Sequence, residues 1–274
     1  MDPHAYSRAR AAAPGSPAYY TLLSLPPERR DDAVALHAWV QEIRAIADEV
    51  RDPGVARTKL VWWRDELART FAGNPQHPVA RAMARVIERH RIERADLEDV
   101  VQGAAMDLEY NAYPDRDALS VYCRRMGGVV QQQLAKVYGY SDARTLEHAE
   151  ALGFAHELTR IVRDVGHDAR HGRVYLPLHD MAAHGVTSED LIHARESDNL
   201  GRLIGAQIAR ANEHFDRALA LLPPADRKSQ RPGLVQAAID RALLKEIQAD
   251  GCRVLTHRTA LTPLRMAWIA WRTR

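Results

Sequence analysis

Only two cysteines occur in the 274 residues, and Cys123 and Cys252 lie far apart with no metal-ligand spacing around either. That excludes a disulfide framework and sets a reducing, cytoplasmic compartment as the expectation. Long apolar runs are also missing: no stretch of about 18 uncharged apolar residues occurs, so no membrane-spanning helix is predicted. The opening Met1-Asp2-Pro3-His4 has neither a basic start nor an apolar core, which predicts no secretory leader. Lysine is scarce: Lys59, Lys136, Lys228 and Lys245 are the only four among 38 basic side chains, and the rest are arginine. Because 36 acidic residues balance the basic ones to a net charge of +2, the chain lacks the basic footprint of a nucleic-acid binder. What remains is ordinary globular composition, 46% hydrophobic and 27% charged, with ample length to bury a core. The abundance of arginine supplies planar donors suited to carboxylate or diphosphate oxygens.

Apolar residues recur at helical spacing nearly everywhere, and no alternating strand-like run stands between turn signals. The pattern predicts one all-α domain over residues 1–274. Pro26-Pro27 opens a helix with Val34, Leu36, Trp39, Val40, Ile43 and Ile46 on its buried stripe, ending near Asp52-Pro53-Gly54. Further helices are predicted over 55–71, 77–90, 94–110, 118–138, 141–171, 198–222 and 232–249. Arg173 to Pro177 reads as extended, since the residue before proline is pushed out of the helical region.

Two helix faces carry candidate chemistry. In the 141–171 helix, Glu157, Arg160, Asp164, Asp168 and His171 follow at steps of 3, 4, 4 and 3, which aligns them on one stripe. A solvated face is the plain alternative, but Asp164 and Asp168 stand one turn apart, a spacing that lets two carboxylates share Mg²⁺ with substrate phosphates. On the Pro27 helix a second stripe runs through His37, Gln41, Arg44 and Asp48. His167 and His171 offer two ligands of a transition-metal site, but spacing supplies no third. His156 is expected to face elsewhere on its helix. Of the adjacent Trp62 and Trp63, at least one is expected to be plain packing. Gly127-Gly128 in mid-helix implies a bend or a close approach. The segment "PLRMAWIAWRTR" sets Met266, Trp268, Ile269 and Trp271 among arginines, which suits either packing against the domain or a helix lying on a membrane surface.

The run from Leu152 to Pro177, "LGFAHELTRIVRDVGHDARHGRVYLP", resembles the second aspartate-rich motif of the squalene/phytoene synthase family. The resemblance is nearest to bacterial presqualene diphosphate synthases of hopanoid pathways. It extends through "GSPAYYTLLSLPPERR" from Gly15, "KLVWWRDEL" from Lys59, "NPQHPVARAM" from Asn74, "MDLEYNAYPD" from Met106 and "LTPLRMAWIAWRT" from Leu261. It implies a helical isoprenoid-synthase bundle with a central apolar cavity. There, Mg²⁺ held between two aspartate-rich helices grips prenyl diphosphates such as farnesyl diphosphate for head-to-head coupling.

Carried over by position, the resemblance makes Asp48, Asp164 and Asp168 the catalytic carboxylates and adds Glu49 to the metal ligands. Arg163, Arg173 and Tyr175 would join the diphosphate contacts. The polar centre departs from the pattern, because Glu157 and Arg160 replace a glutamine and an asparagine, and His167 replaces an acid. Arg44 stands where the first motif has an aspartate, Gln41 replaces an arginine, and His37 and Asp240 replace pocket tyrosines. Gln131-Gln132-Gln133 is more polar than the prenyl-lining segment it matches. Asp107 and Glu109 are expected either to line the cavity or to form a salt bridge.

Arg44 puts a positive charge where a divalent cation would sit, a repulsion of several kcal/mol at an effective dielectric of about 20. The expected pairings are Arg44 with Asp164 or Glu157, and Arg160 with Asp48. Head-to-head prenyl transfer is then weakened or lost, unless the arginines act as fixed cations in place of metal. The alternative is an inactive family member that binds isoprenoids or assists another protein. Peripheral contact with the inner membrane through the C-terminal helix belongs to the same expectation, and the oligomeric state is left open.

Overall fold

A computed structural model describes residues 2–50 and 52–273. They form α1 (Pro3–Ala11), α2 (Pro17–Leu22), α3 (Pro27–Glu49), α4 (Pro53–Phe71), α5 (Pro78–His90), α6 (Arg94–Glu109) and α7 (Arg116–Cys123). There follow α8 (Val129–Tyr138), α9 (Arg144–Arg170), α10 (Leu178–Ala183), α11 (Ser188–Ile192), α12 (Asp198–Leu221), α13 (Arg231–Ala249) and α14 (Pro263–Arg272). Among the described residues there is no β-strand, only an isolated bridge between Ala112 and Val174. The all-α expectation holds.

Proline opens α1, α2, α3, α4, α5 and α14, where its missing N–H costs nothing and its fixed φ is already helical. Helix ends shift by up to three residues from the sequence reading, with α3 stopping at Glu49 and α9 starting at Arg144, and the predicted 118–138 helix is split by a π-helical turn, Arg124–Gly128. The short helices α1, α2, α10 and α11 were not anticipated, since pieces this short carry too few turns to show a period.

α9 is the central element, packed on α12, α8, α13 and the π turn. Its Leu152, Ala155, Leu158, Ile161, Val162 and Val165 join one apolar core that reaches from Ala11 to Leu255. Backbone contacts fix its depth. A Cβ on Gly153 would lie 2.1 Å from the Gly127 carbonyl oxygen, and one on Gly127 would lie 2.1 Å from that of Gly153, so α9 crosses the π turn at the closest possible range. Of the bend or close approach inferred for this glycine pair, the close approach is present, within a π turn.

Two more constraints bring chain to the polar end of α9. Position 166 is also glycine, with Leu255 backbone against it, and Arg170 donates to the Leu255 carbonyl at 3.1 Å. Gly172, at φ +73°, ends the helix and turns the chain into an extended strap. The strap is fastened to the loop after α6 by Val174 N–H to Asn111 O, 2.8 Å, and Leu178 N–H to Tyr113 O, 2.9 Å.

Gly153→Ala is expected to destabilise by about 1–3 kcal/mol through overpacking. Gly205→Ala in α12, where an added Cβ meets nothing, is expected to be neutral or stabilising by up to about 1 kcal/mol. Urea midpoints of the two variants against the parent check this.

Candidate active site

The two polar stripes face each other across a cleft of about 310 Å³ between α3 and α9, completed by the strap and by Arg258. Every carboxylate in it except Asp107 is engaged by arginine. Glu157, only 3% exposed, lies at the bottom. Arg44 grips it with both Nη atoms, at 3.2 and 2.5 Å, and also donates to the Met126 carbonyl of the π turn at 2.8 Å. Arg160 donates from Nε to the same Glu157 at 2.6 Å, reaches Asp168 at 3.3 Å, and lays its guanidinium 4.8 Å from the centre of the Tyr175 ring. Arg163 holds both oxygens of Asp164, at 2.8 and 2.5 Å, and Arg258 adds a second contact at 2.8 Å. Arg173 of the strap binds Asp48 at 2.5 Å, and Arg10 stands 3.5 Å from the exposed Glu49.

The protonation of these groups follows from their partners. Burial alone would raise the Glu157 carboxyl; the facing charges of Arg44 and Arg160 overcome that and hold it down at about 2. Burial also acts on Asp164, but Arg163 and Arg258 keep it well below the usual carboxylate range. Asp168 goes the other way: burial, helped by the charge of Asp164, raises it against the pull of Arg160.

Asp107 is raised to about 6 by burial, although Tyr175 donates to it at 2.6 Å and Tyr122 at 3.2 Å. Its three neighbouring aromatics, Tyr113, Tyr122 and Tyr175, form a layer with ring centres 5.1 to 5.8 Å apart. This layer backs the cleft.

Gln41, Arg44, Asp48, Glu49, Arg160, Arg163, Asp164, Asp168 and Tyr175 therefore line one cleft, the juxtaposition that the resemblance implies. Glu157 lies beneath them and Arg173 behind Asp48. One expected pairing is present and one is not. Arg44 takes Glu157, one of its two expected partners. Arg160 takes Glu157 and Asp168, neighbours on its own helix, while Asp48 is held by Arg173.

His37 does not line the cleft. It sits a turn deeper on α3, near His156, and burial together with that neighbour lowers it to about 4. His156, expected to face elsewhere, hydrogen-bonds Asp240 of α13 at 2.6 Å, because the packing of α13 on α9 turns that face inward. Trp63 is buried in the core, the plain packing expected of at least one of the pair, and Trp62 is exposed on the neighbouring side, with both rings meeting His77 edge-on. Sequence reading missed Arg258, Arg10 and Tyr122. Arg258 lies 94 positions from its partner and carries no local signal.

These carboxylates do not fit a Mg²⁺ cluster. Mg²⁺ needs octahedral oxygen donors, yet both oxygens of Asp164 go to guanidinium groups, those of Asp168 go to Arg160 and His167, and Arg44 fills the gap between the helices. Among the described residues no group of three or more His, Cys, Asp or Glu is placed to hold a metal. The His167–His171 pair is likewise committed, since His171 Nδ1 bonds the His167 carbonyl at 2.8 Å.

Helices that direct two polar stripes into one cleft of an all-α bundle define the isoprenoid-synthase class of folds. Residues 11–265 match the family model for squalene/phytoene synthases, and the chain belongs to that family, one of isoprenoid biosynthesis. It is similar to phytoene synthase 2 of Zea mays, 31% identical over 240 residues that cover 85% of this chain and 60% of the relative. It is also similar to phytoene synthase of Arthrospira platensis, 30% identical over 250 residues, 85% of this chain and 80% of that one. The match spans about 60% of the length of the relatives from Zea mays, Oncidium and Narcissus pseudonarcissus.

Among solved structures, a ligand-bound dehydrosqualene synthase superimposes with TM-score 0.87 at 23% identity, covering 99% of this chain and 95% of the other. Squalene synthase HpnC from Alicyclobacillus acidocaldarius gives 0.78 at 22%, covering 91% and 92%. Among the described residues no helix is long and apolar enough to cross a membrane.

Two outcomes follow for the buried charges. Arg44→Met leaves Glu157 short of a partner and is expected to cost about 3–5 kcal/mol in urea unfolding. Asp107 has its folded pKa raised from 3.8 to about 6, so its contribution to stability is complete below about pH 4 and is lost as pH rises through 6. Thermal melts across that window should slope downward in the parent and flatten in Asp107→Asn.

Proposed function

We propose that the cleft binds the diphosphate head of a prenyl diphosphate such as farnesyl diphosphate through fixed guanidinium groups, and that head-to-head coupling is weakened or lost. The observation that carries this reading is the bidentate Arg44–Glu157 contact at the base of the cleft. Guanidinium matches phosphate oxygens bidentately without a metal. Arg258, largely exposed, and Arg163 present such donors at the mouth. Two buried donors, Arg160 Nη2 and Arg173 Nε, have no acceptor among the described residues, which is what an anion's oxygens would satisfy.

Turnover is another matter. Ionising an allylic diphosphate requires charge stabilisation that grows as the leaving group departs. Here each cation is already partly neutralised by a carboxylate 2.5 to 3.5 Å away. Donors that hold ground state and transition state alike favour binding without accelerating the step. Asp48, Asp164 and Asp168 then position arginines and do not ligate metal.

The reading includes the whole chain as one domain, a hopanoid- or squalene-type setting, and peripheral contact with the inner membrane through α14. An inactive relative that assists another protein is the alternative. Radiolabelled farnesyl diphosphate separates the cases. Binding that EDTA leaves unchanged, with little or no coupled product, is expected. Magnesium-dependent formation of squalene-type product in quantity, or tight binding of two or three Mg²⁺ ions by calorimetry, overturns the reading, and absence of any binding leaves the partner role.

A further inference from the structure

The C-terminal helix is built on two opposite faces. Met266 and Ile269 are buried against Val235 and Ile239 of α13, which anchors α14 to the body of the protein. On the other side Leu264, Trp268 and Trp271 are 84%, 53% and 74% exposed. Steps of four and three place these three side chains on one stripe. α2 packs beside α14 and adds the exposed Tyr19 and, just past its end, Leu23.

The charge carried by α14 itself has one sign. α14 contains no acidic residue. Arg272 lies 5.1 Å from the centre of the Trp268 ring, and Arg231 holds the helix C-terminus through the carbonyls of Ala270 and Thr273. Arg265 is the one cation tied to a carboxylate, Glu246, at 2.7 Å.

We infer that α2 and α14 form a docking face for an anionic lipid bilayer. This rests on the peripheral contact named above and extends it to a second element and a lipid class. A convex helix that projects indoles singly suits a fluid surface that closes around each ring, whereas a protein partner would need a matching groove. Indole rings favour the headgroup boundary, and arginines beside them meet lipid phosphates. The segment leading into α14 reaches the cleft, where Arg258 contacts Asp164.

Sedimentation of the full chain with phosphatidylcholine vesicles, and with phosphatidylcholine/phosphatidylglycerol vesicles, tests this. Pelleting with the anionic mixture, weakened by salt and accompanied by a blue shift of tryptophan emission, is expected. Trp268→Ser combined with Trp271→Ser lowers vesicle affinity about tenfold or more, and Leu23→Ser lowers it several-fold. Val61→Ser, which removes an exposed apolar side chain on α4, leaves it unchanged.

Circular dichroism and farnesyl diphosphate binding without vesicles should match the parent in each variant, which separates a docking defect from a folding or cleft defect. Unchanged pelleting of the double variant, or no pelleting with anionic vesicles, overturns the inference. So does a dimer in light scattering that the double variant dissolves, since a second copy would then cover the face. Vesicle binding without any farnesyl diphosphate binding counts against the cleft reading alone.

Discussion

A buried carboxylate gripped by two arginines sets the arrangement of everything above it in the cleft. Glu157 is nearly inaccessible to water, and an ionised carboxyl in that position is tolerable only because Arg44 comes across from α3 and Arg160 folds back along α9. With Glu157 as its anchor, Arg160 extends over Tyr175 toward Asp168. Asp164 is left to Arg163 and Arg258, and Asp48 to Arg173 on the strap. Charges alternate through the site, and each element that reaches it, from α1 to the loop before α14, contributes a member.

Such networks are not strong evidence of added stability, since well-packed apolar residues often do as well. Their effect here is on chemistry. A divalent cation brings concentrated charge with exchangeable positions for substrate oxygens, whereas a guanidinium is fixed in place, planar and already shared. A cleft built this way suits recognition of an anion better than promotion of its departure. The tyrosine layer behind it, with Asp107 raised to about 6, adds a group whose charge changes near neutrality beside the site.

Much of the site was legible because a helix repeats. Steps of three and four put Arg160, Asp164 and Asp168 on one face without any knowledge of the fold, and the same rule aligned Gln41, Arg44 and Asp48. That the two faces oppose each other came from the resemblance, not from spacing. The particular pairings were not legible. Periodicity fixes where a side chain starts, but an arginine reaches several ångströms in any direction, so Arg160 could satisfy carboxylates on its own helix and leave Asp48 to the strap. Arg258 and the His156–Asp240 contact depend on how the last third of the chain packs back on α9, a long-range fact with no local signature. The short helices at the N-terminus and after the strap escaped for the opposite reason: each is too brief to establish a repeat.

The π turn ties the side chain at position 44 to the backbone of the fold. Its Met126 carbonyl and the Glu157 carboxylate both depend on the guanidinium of Arg44. An acid placed at position 44 alone would strip both acceptors of that donor and set two carboxylates face to face. Positions 44, 157 and 160 are therefore coupled, and substitutions among them will not add independently.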